Sequence, residues 1–231
     1  MKFYRYQTIN KLTLQNLSNQ MNWVADPLEF NDPFEFSLHE EYYTNSEGKQ
    51  EFLELNHKQR IKNIQNQIKN FGVVCYSTKY SNILLWSHYA DNHKGMCLVF
   101  DVKEENISFM RKISYDKKLP FVGHKSDISH EDIISVVTTK SSDWLYEYEY
   151  REVITKKKIL KDYPGDLVEI IFGCRTPLDD IKIVRDIAVG KNNKLIISKM
   201  IIAQNNYQID KLSVGDNSKI PKSFGLTNLK M

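Results

Sequence analysis

The sequence predicts a single α+β domain, in which helices flank a mixed sheet of short strands. The chain has 231 residues, a length that suits one medium-sized domain. Apolar residues make up 41% of it and charged residues 26%, so it can bury a core. The predicted strands and helices do not alternate regularly, as they would in a doubly wound parallel sheet. We place the domain at residues 1–212 and interpret residues 213–231 as a basic, loosely ordered tail.

The N-terminal half contains the clearest periodic helix. Phe3–Tyr6 predicts a first strand, and a short amphipathic helix follows from near Thr13. Lys49–Phe71 predicts a longer amphipathic helix, because its apolar residues recur at spacings of three and four. Val73–Ser77 is rich in residues that favour strands, and Asn82–Tyr89 predicts a short helix.

The later elements combine buried strands with two well-marked helix starts. Met96–Phe100 is apolar throughout, as a strand buried on both faces would be. Ser129 and Asp132 form a capping-box pattern before an apolar helix. The remaining predicted elements are a strand at Tyr146–Ile154, a strand at Val168–Phe172, a helix starting near Thr176, and a closing hairpin formed by Leu195–Ala203 and Tyr207–Leu212.

An aromatic segment near the N-terminus, Phe30-Asn31-Asp32-Pro33-Phe34, predicts an ordered turn. Pro33 disfavours helix at the residue before it, and Asn31 and Asp32 favour turns closed by their own side chains. We therefore expect both polar side chains to bond to nearby backbone and Phe34 to be buried.

Composition argues against several classes of protein. The longest apolar run, Met96–Phe100, is far shorter than the roughly 20 residues of a membrane-spanning helix. The first residues lack the apolar stretch of a secretory signal. Cys75, Cys97 and Cys174 are widely spaced, which favours a reducing compartment over a disulfide framework or a cysteine zinc site. We expect a cytoplasmic protein without a membrane partner.

Charge and motif content leave the function open. The formal net charge is only +3, but seven lysines and two aspartates fall between Lys191 and Met231. A basic end of this kind can attract polyanions, but we favour its interpretation as a solvated surface. The chain lacks the GxxxxGK[ST], GxGxxG, GxSxG and HExxH patterns, which removes support for common nucleotide-binding, hydrolase and metalloprotease classes.

The first candidate group is Tyr4-Arg5-Tyr6 on the predicted first strand. A guanidinium flanked by two rings suits bidentate capture of a phosphate or a carboxylate. The alternative is that Arg5 pairs with an acidic residue for structural reasons while the tyrosines pack in the core.

The second candidate group joins Ser77, at the end of a predicted strand, to the short helix that carries Trp86, His88 and Tyr89. Rings presented on such a helix can stack on a ligand, and core packing is the alternative for Trp86 and Tyr89.

A metal site in this region is not expected. His88 and Asp91 would share one face of a helix, but His93 lies five residues from His88 and falls off that face.

The third candidate group lies on the predicted strand Tyr146–Ile154. Strand alternation would put Glu147, Glu149 and Arg151 on one face and three tyrosines on the other. Two carboxylates beside an arginine can form an exposed ion pair. They can also place one carboxylate to stabilise a developing positive charge.

These motifs resemble those of a family of uncharacterised bacterial proteins that is catalogued as a domain of unknown function. The resemblance covers roughly Phe3 to Tyr207. The shared pattern consists of Tyr4-Arg5-Tyr6, Trp23, Phe30-Asn31-Asp32-Pro33-Phe34, Leu85-Trp86-Ser87-His88-Tyr89-Ala90 with Lys94-Gly95, Trp144-x-Tyr146-Glu147-x-Glu149-Tyr150-Arg151, and Ile171-Phe172-Gly173-Cys174-Arg175.

A second resemblance adds chemistry. Arg5, Ser77-Thr78 and Glu147-x-Glu149 occur in the order of the Arg, Ser-Thr-Ser and Glu-x-Glu elements of ADP-ribosyltransferases. Those enzymes cleave the nicotinamide–ribose bond of NAD, so the resemblance implies NAD as a substrate and an ADP-ribosyltransferase-like fold.

The resemblance also implies roles for single residues. Arg5 would hold a phosphate of NAD, and Ser77 would orient the catalytic carboxylate. Glu149 would stabilise an oxocarbenium-like state, and Glu147 would activate the acceptor. The rings implied to contact NAD are those of Tyr6, Trp86, His88 and Tyr89, with Trp86 or Tyr89 stacked on nicotinamide.

Two functions follow as expectations. The first is an ADP-ribosyltransferase-like enzyme of the toxin or phage-defence type, with a protein or a nucleic acid as acceptor. The alternative is a non-catalytic module that binds a nucleotide or a nucleic acid through aromatic rings and the basic tail. If there is one site, Arg5, Ser77, Trp86, His88 and Glu149 should line one cleft.

Overall fold

A computed structural model describes residues 1–39, 42–44, 50–52, 55–121 and 128–214. The strands in these ranges are β1 (Lys2–Gln7), β2 (Met21–Val24), β3 (Tyr42–Thr44), β4 (Gln50–Phe52), β5 (Gly72–Ser77), β6 (Met96–Asp101), β7 (Met110–Lys112), β8 (Ser114–Asp116), β9 (Thr139–Ser141), β10 (Glu149–Ile154), β11 (Ile159–Asp162), β12 (Asp166–Phe172), β13 (Ile196–Ile202) and β14 (Ile209–Val214). The helices are α1 (Lys11–Asn19), α2 (Leu55–Ile68), α3 (Ile83–Tyr89), α4 (Glu104–Ile107), α5 (His130–Val137) and α6 (Leu178–Val189), with short 3₁₀ helices at Pro27–Glu29 and Ser142–Glu147.

Within the described ranges, the centre of the fold is an eight-stranded sheet in the order β14-β13-β12-β6-β1-β5-β10-β7. Neighbouring strands run antiparallel, except that β12 and β13 run parallel and are connected through α6. The predicted α+β fold with a mixed sheet is thus confirmed. The implied likeness to ADP-ribosyltransferases stays a prediction.

The two faces of the sheet are covered differently. On one face, α1 and α6 pack against a core that includes Phe3, Phe100 and Phe172. The opposite face carries two separate apolar clusters. One forms around Ile64 of α2, and the other forms around Trp86 of α3. Residues between these two clusters line the candidate site described below.

The predicted strand at Tyr146–Ile154 starts later than expected. Ser142–Glu147 form a 3₁₀ helix, which Ser141 begins by accepting a hydrogen bond from the backbone of Asp143. Tyr148 then takes a left-handed conformation, with φ 47°, and β10 begins at Glu149. Strand alternation is therefore wrong for residues 146–148, because the chain turns at Tyr148. Within β10, Glu149 and Arg151 share one face as predicted, and Tyr150 packs in the core on the other.

The predicted domain boundary can be followed only as far as the described residues. β14 continues to Val214, beyond the predicted end at residue 212, because it pairs with β13 over its whole length. The rest of the predicted basic tail, residues 215–231, lies outside the described residues. Among the residues that are described, no helix is both long and apolar enough to cross a membrane.

The aromatic turn is only partly as predicted. Asp32 accepts a hydrogen bond from the backbone N–H of Phe34 at 2.9 Å, as expected for a turn closed by its side chain. Phe34 itself is 63% exposed, whereas Phe36 is buried. The expectation of a buried Phe34 is wrong, because the turn directs that ring outward and the second ring inward.

We predict that Phe34→Ser changes the free energy of unfolding by less than about 0.5 kcal/mol, since an exposed ring contributes little. Phe36→Ser should destabilise by about 3 kcal/mol or more, as expected for the loss of a buried aromatic side chain. Urea unfolding of both variants measures the difference. Equal losses would contradict this assignment of the two rings.

Candidate functional site

A cavity of about 420 Å³ lies where β1 and β5 separate. In the described part of the chain, the register joins these strands at one pair, Tyr4 with Ser77. Consecutive residues of β1, such as Tyr4 and Arg5, point to opposite faces yet both line the cavity. The sheet is therefore open at this point. The volume falls in the range of about 300–1,000 Å³ that is usual for small-molecule sites.

Most of the side chains singled out in the sequence meet at this cavity. Those that line it are Arg5, Tyr6, Ser77, His88, Tyr89, Glu147 and Glu149. Trp86 is absent from the lining. The single cleft expected from the sequence therefore contains Arg5, Ser77, His88 and Glu149, but not Trp86.

Trp86 is a core residue, so its expected stacking on a ligand is wrong. Its side chain is fully buried, and its Nε1–H donates to the carbonyl of Tyr80 at 2.7 Å. Its ring packs edge-on against Tyr6, with 5.1 Å between ring centroids. The physical reason is the orientation of α3, which turns Trp86 toward the sheet and leaves His88 exposed. Trp86 thus supports Tyr6 from behind.

The resemblance implied that Ser77 orients the Glu149 carboxylate, and this expectation is wrong. Its hydroxyl donates to the backbone carbonyl of Glu147 at 2.6 Å and accepts from the backbone N–H of Lys79 at 3.0 Å. The hydroxyl therefore fixes the turn that precedes β10. Ser77 still lies directly beside Glu149, as its cross-strand partner in the sheet.

Arg5 has a structural contact in addition to its place on the cavity. Its Nη2 donates to the backbone carbonyl of Trp23 in β2 at 2.9 Å. An arginine carries five N–H donors, so this bond leaves the side chain able to bind more than one group. Its role as a phosphate ligand stays a prediction.

His88 and Tyr89 occupy different positions at the end of α3. Tyr89 donates its hydroxyl to Glu147 Oε1 at 2.6 Å, and burial, with Glu147 next in effect, raises the pKa of its phenol. His88 is exposed, with its ring centroid 6.2 Å from Trp144 and 6.4 Å from Tyr146. Tyr89 therefore contacts Glu147, whereas His88 lies with Trp144 and Tyr146 in an aromatic group at the edge of the cavity.

Two cations and three carboxylates form a buried cluster against the cavity. Arg151 binds Glu149 through two hydrogen bonds, of 2.7 and 3.2 Å, and reaches Glu35 at 2.6 Å. Lys140 lies 2.7 Å from Glu147 and 3.5 Å from Glu149. All five side chains are at most 6% exposed, so they interact with little screening by water.

The cluster shifts the pKa values of the two glutamates in the Glu-x-Glu pair in opposite directions. Burial by itself raises the pKa of Glu149, but Arg151 and Lys140 outweigh it and lower this pKa to about 2. Burial, assisted by Glu149, raises the pKa of Glu147 in spite of Lys140. The ionised form is therefore favoured more strongly at Glu149 than at Glu147. Such a separation is typical of acid and base roles in active sites.

Sequence reasoning missed three polar residues of the site. Lys140 follows an apolar helix between Thr and Ser residues, and Glu35 stands between Phe34 and Phe36. For Glu35, an isolated charge between two phenylalanines was the available signal, since such a charge is buried only with a partner. Lys140, between Thr139 and Ser141, carried no such signal. Cys75, which lines the cavity, had no such signal either. Within the described residues, no group of three or more His, Cys, Asp or Glu side chains is arranged to hold a metal ion.

Comparisons with known proteins give one match. No curated protein and no solved structure matches the chain. Residues 85–152, which run from α3 into β10, match the model of a family described as a protein of unknown function (DUF2971). This stretch carries His88, Tyr89, Lys140, Glu147 and Glu149, which lie together at the cavity. The expected relationship to a family of uncharacterised proteins is therefore confirmed, through this match to DUF2971 over residues 85–152.

Proposed function

We propose that the protein is an ADP-ribosyltransferase-like enzyme, of the toxin or phage-defence type, that cleaves the nicotinamide–ribose bond of NAD. One observation carries the proposal. Glu149 is a carboxylate with a lowered pKa, held by Arg151, at a cavity that Arg5 and several aromatic rings also line. A fixed anion of this kind can stabilise positive charge that develops on a sugar ring.

The proposed step assigns a task to each cavity residue. Arg5 binds a phosphate of NAD, and the rings of Tyr6, His88 and Tyr89 bound the space for the rest of the nucleotide. The bond between ribose C1′ and nicotinamide breaks, and its electron pair leaves on the nicotinamide nitrogen. Glu149 stabilises the resulting oxocarbenium-like ribose. The acceptor then attacks C1′ and passes its proton to Glu147.

Glu147 suits the proton-accepting role because it is bonded to Tyr89 and has a raised pKa. A general base works best when its pKa lies near the working pH. The acceptor is a protein or a nucleic acid in the transferase reaction. When water is the acceptor, the same step is NAD hydrolysis.

Reversible binding of a nucleotide or a nucleic acid is the second candidate function. This function is favoured by the hydrogen bonds that the two glutamates already accept from the protein. Both oxygens of Glu149 accept from Arg151, and those of Glu147 accept from Tyr89 and Lys140. Carboxylates that already have protein donors can shape a cavity without taking part in a reaction.

Thermal shift and nicotinamide release together test the proposal. NAD at 100 times its Kd should stabilise the protein by about 2.7 kcal/mol, which corresponds to a rise in Tm of about 5–10 °C for a chain of this size. Nicotinamide riboside, which lacks the phosphates, should give a smaller shift, since it cannot engage Arg5. Chromatography of the same samples measures released nicotinamide.

The outcomes separate the two candidates. A thermal shift with nicotinamide release supports the enzyme, and a shift without release supports the binding module. The absence of both, tested with water, peptide and oligonucleotide acceptors, would contradict both functions.

A further inference from the structure

We propose that the segment Phe30–Phe36 is a clamp that fixes the guanidinium of Arg151, and that Glu35 in this segment is a positioning residue for Glu149. The effect on turnover rests on the proposed function. The clamp itself rests on contacts within the protein.

Three side chains of this segment converge on one guanidinium. Glu35 Oε1 lies 2.6 Å from Arg151 Nη1. The rings of Phe30 and Phe36 have their centroids 5.7 and 5.5 Å from Arg151 Cζ, within reach of a cation–π interaction. Arg151 Nη1 also donates to the carbonyl of Val137 at 2.7 Å, so the guanidinium is held on the sides that do not face Glu149.

The backbone of the segment is built to hold this arrangement. Asp32 accepts from Phe34 through its side chain, and its carbonyl accepts from the backbone N–H of Glu35 at 3.1 Å. Phe36 takes a left-handed conformation with φ 60°, which is strained for a bulky residue. Strain of this kind persists where the surrounding contacts determine the conformation, and it is common at functional sites. Here it places Glu35 and the Phe36 ring together against Arg151.

Stability alone does not account for Glu35. Its side chain is 3% exposed, so its carboxylate has lost nearly all its hydration. Apolar residues of similar size usually replace buried ion pairs without loss of stability. What the carboxylate adds is a negative charge 2.6 Å from Arg151 Nη1. Neither Glu35 oxygen has a hydrogen-bond partner among the described residues, so the contact is an ion pair whose attraction holds that end of the guanidinium in place. Glu35 thus keeps the fork of Arg151 aligned with both oxygens of Glu149.

The test uses Glu35→Gln, which retains the shape and removes the charge. Glu131→Gln is the control, because Glu131 is exposed on α5 and the change in net charge is the same. The first measurement is hydrogen exchange of the Arg151 Nε–H, which donates to Glu149. The chain has six arginines, so the signal can be assigned by its loss in Arg151→Lys.

We expect Glu35→Gln to speed exchange of the Arg151 Nε–H at least tenfold, while backbone amides of β5 and β10 keep their protection. The kcat for nicotinamide release should fall about 10- to 100-fold, a typical effect of residues that orient a functional side chain. KM should change less than about twofold, because Glu35 is not placed on the ligand. Glu131→Gln should leave exchange, kcat and KM unchanged.

Unchanged Nε–H exchange in Glu35→Gln would overturn the clamp. If the wild type releases no nicotinamide, the proposed function fails, and the exchange measurement still decides the clamp. If Glu35→Gln does not fold, Phe30→Leu serves instead, since it keeps every charge and removes one ring from Arg151. That variant should speed Nε–H exchange about threefold, and no change would again overturn the proposal.

Discussion

Replacing Glu149 with Gln should lower kcat for nicotinamide release by about 100- to 1,000-fold, or about 2.7–4 kcal/mol of transition-state stabilisation. The amide keeps the shape of the side chain and one acceptor oxygen, but it removes the negative charge that opposes the developing cation. KM for NAD should change far less, because a hydrogen bond to the ribose can persist with an amide.

The fold should survive this change. Arg151 keeps Glu35 as a partner at 2.6 Å, so no cation is left alone in the core. The amide that replaces the carboxylate presents its NH₂ group to the guanidinium. This contact between two donors lowers the free energy of unfolding by about 1–3 kcal/mol. We therefore expect a drop in Tm of about 2–12 °C.

Glu152→Gln is the matched control for Glu149→Gln. Glu152 lies on the same strand and is buried, but its own side chain does not line the cavity. It accepts a hydrogen bond from Tyr76 at 2.9 Å and forms an ion pair with Lys161 at 2.8 Å. It should lose stability to a similar degree and keep its kcat. Equal kcat in wild type and Glu149→Gln, or equal losses in the two variants, would remove Glu149 from the reaction.

Arg151→Met should have the largest effect on stability, a loss of about 3–5 kcal/mol. It leaves the Glu149 and Glu35 carboxylates buried without the cation that binds both of them. For a chain of this size the loss corresponds to a drop in Tm of about 6–20 °C, which urea and thermal unfolding can measure. A loss below about 1 kcal/mol would contradict the view that this arginine neutralises the cluster.

In Arg151→Met, the contribution of Glu149 to the pH dependence of stability should be opposite in sign to that in the wild type. In the wild type, the Glu149 pKa of about 2 lies below its ordinary value of 4.5. Its contribution, about 3 kcal/mol, is therefore fully present above pH 4.5 and is lost as the pH falls toward 2.

In Arg151→Met, burial is no longer opposed by that cation, so the pKa of Glu149 should rise above its unfolded value. Lowering the pH through that raised pKa then stabilises the folded variant. We expect the stability difference between wild type and variant to narrow from pH 7 to pH 5. A constant difference over this range would contradict the assignment of Glu149 as the responsible group.

Local signals in the sequence were enough to predict many elements. The apolar run at Met96–Phe100 is the buried strand β6, and Val73–Ser77 lies within β5. The capping box at Ser129 and Asp132 begins α5, with both reciprocal hydrogen bonds formed. Such features depend on neighbouring residues, through backbone preference, periodicity and caps, so they can be recognised without the rest of the chain.

A short turn shows where local signals end. The sequence SSDWLYE resembles part of a strand by its alternating aromatic residues, yet its Ser141 cap starts a 3₁₀ helix. Two local signals conflict here, the aromatic alternation that favours a strand and the Ser141 cap that favours a helix. The 3₁₀ helix that forms is accompanied by contacts around Glu147. Ser77 bonds to its carbonyl, while Tyr89 and Lys140 bond to its carboxylate.

The sequence by itself determined the mixed α+β class, the main helices and strands, and a set of polar residues that could form a functional site. Only the tertiary structure decided that Trp86 faces the core while His88 faces out, and that Glu35 meets Arg151 from far along the chain. Periodicity defines the faces of a helix or a strand, but it does not say which distant element covers each face. That choice follows from strand register and from the need to bury each charge beside a partner, and both are properties of the whole fold.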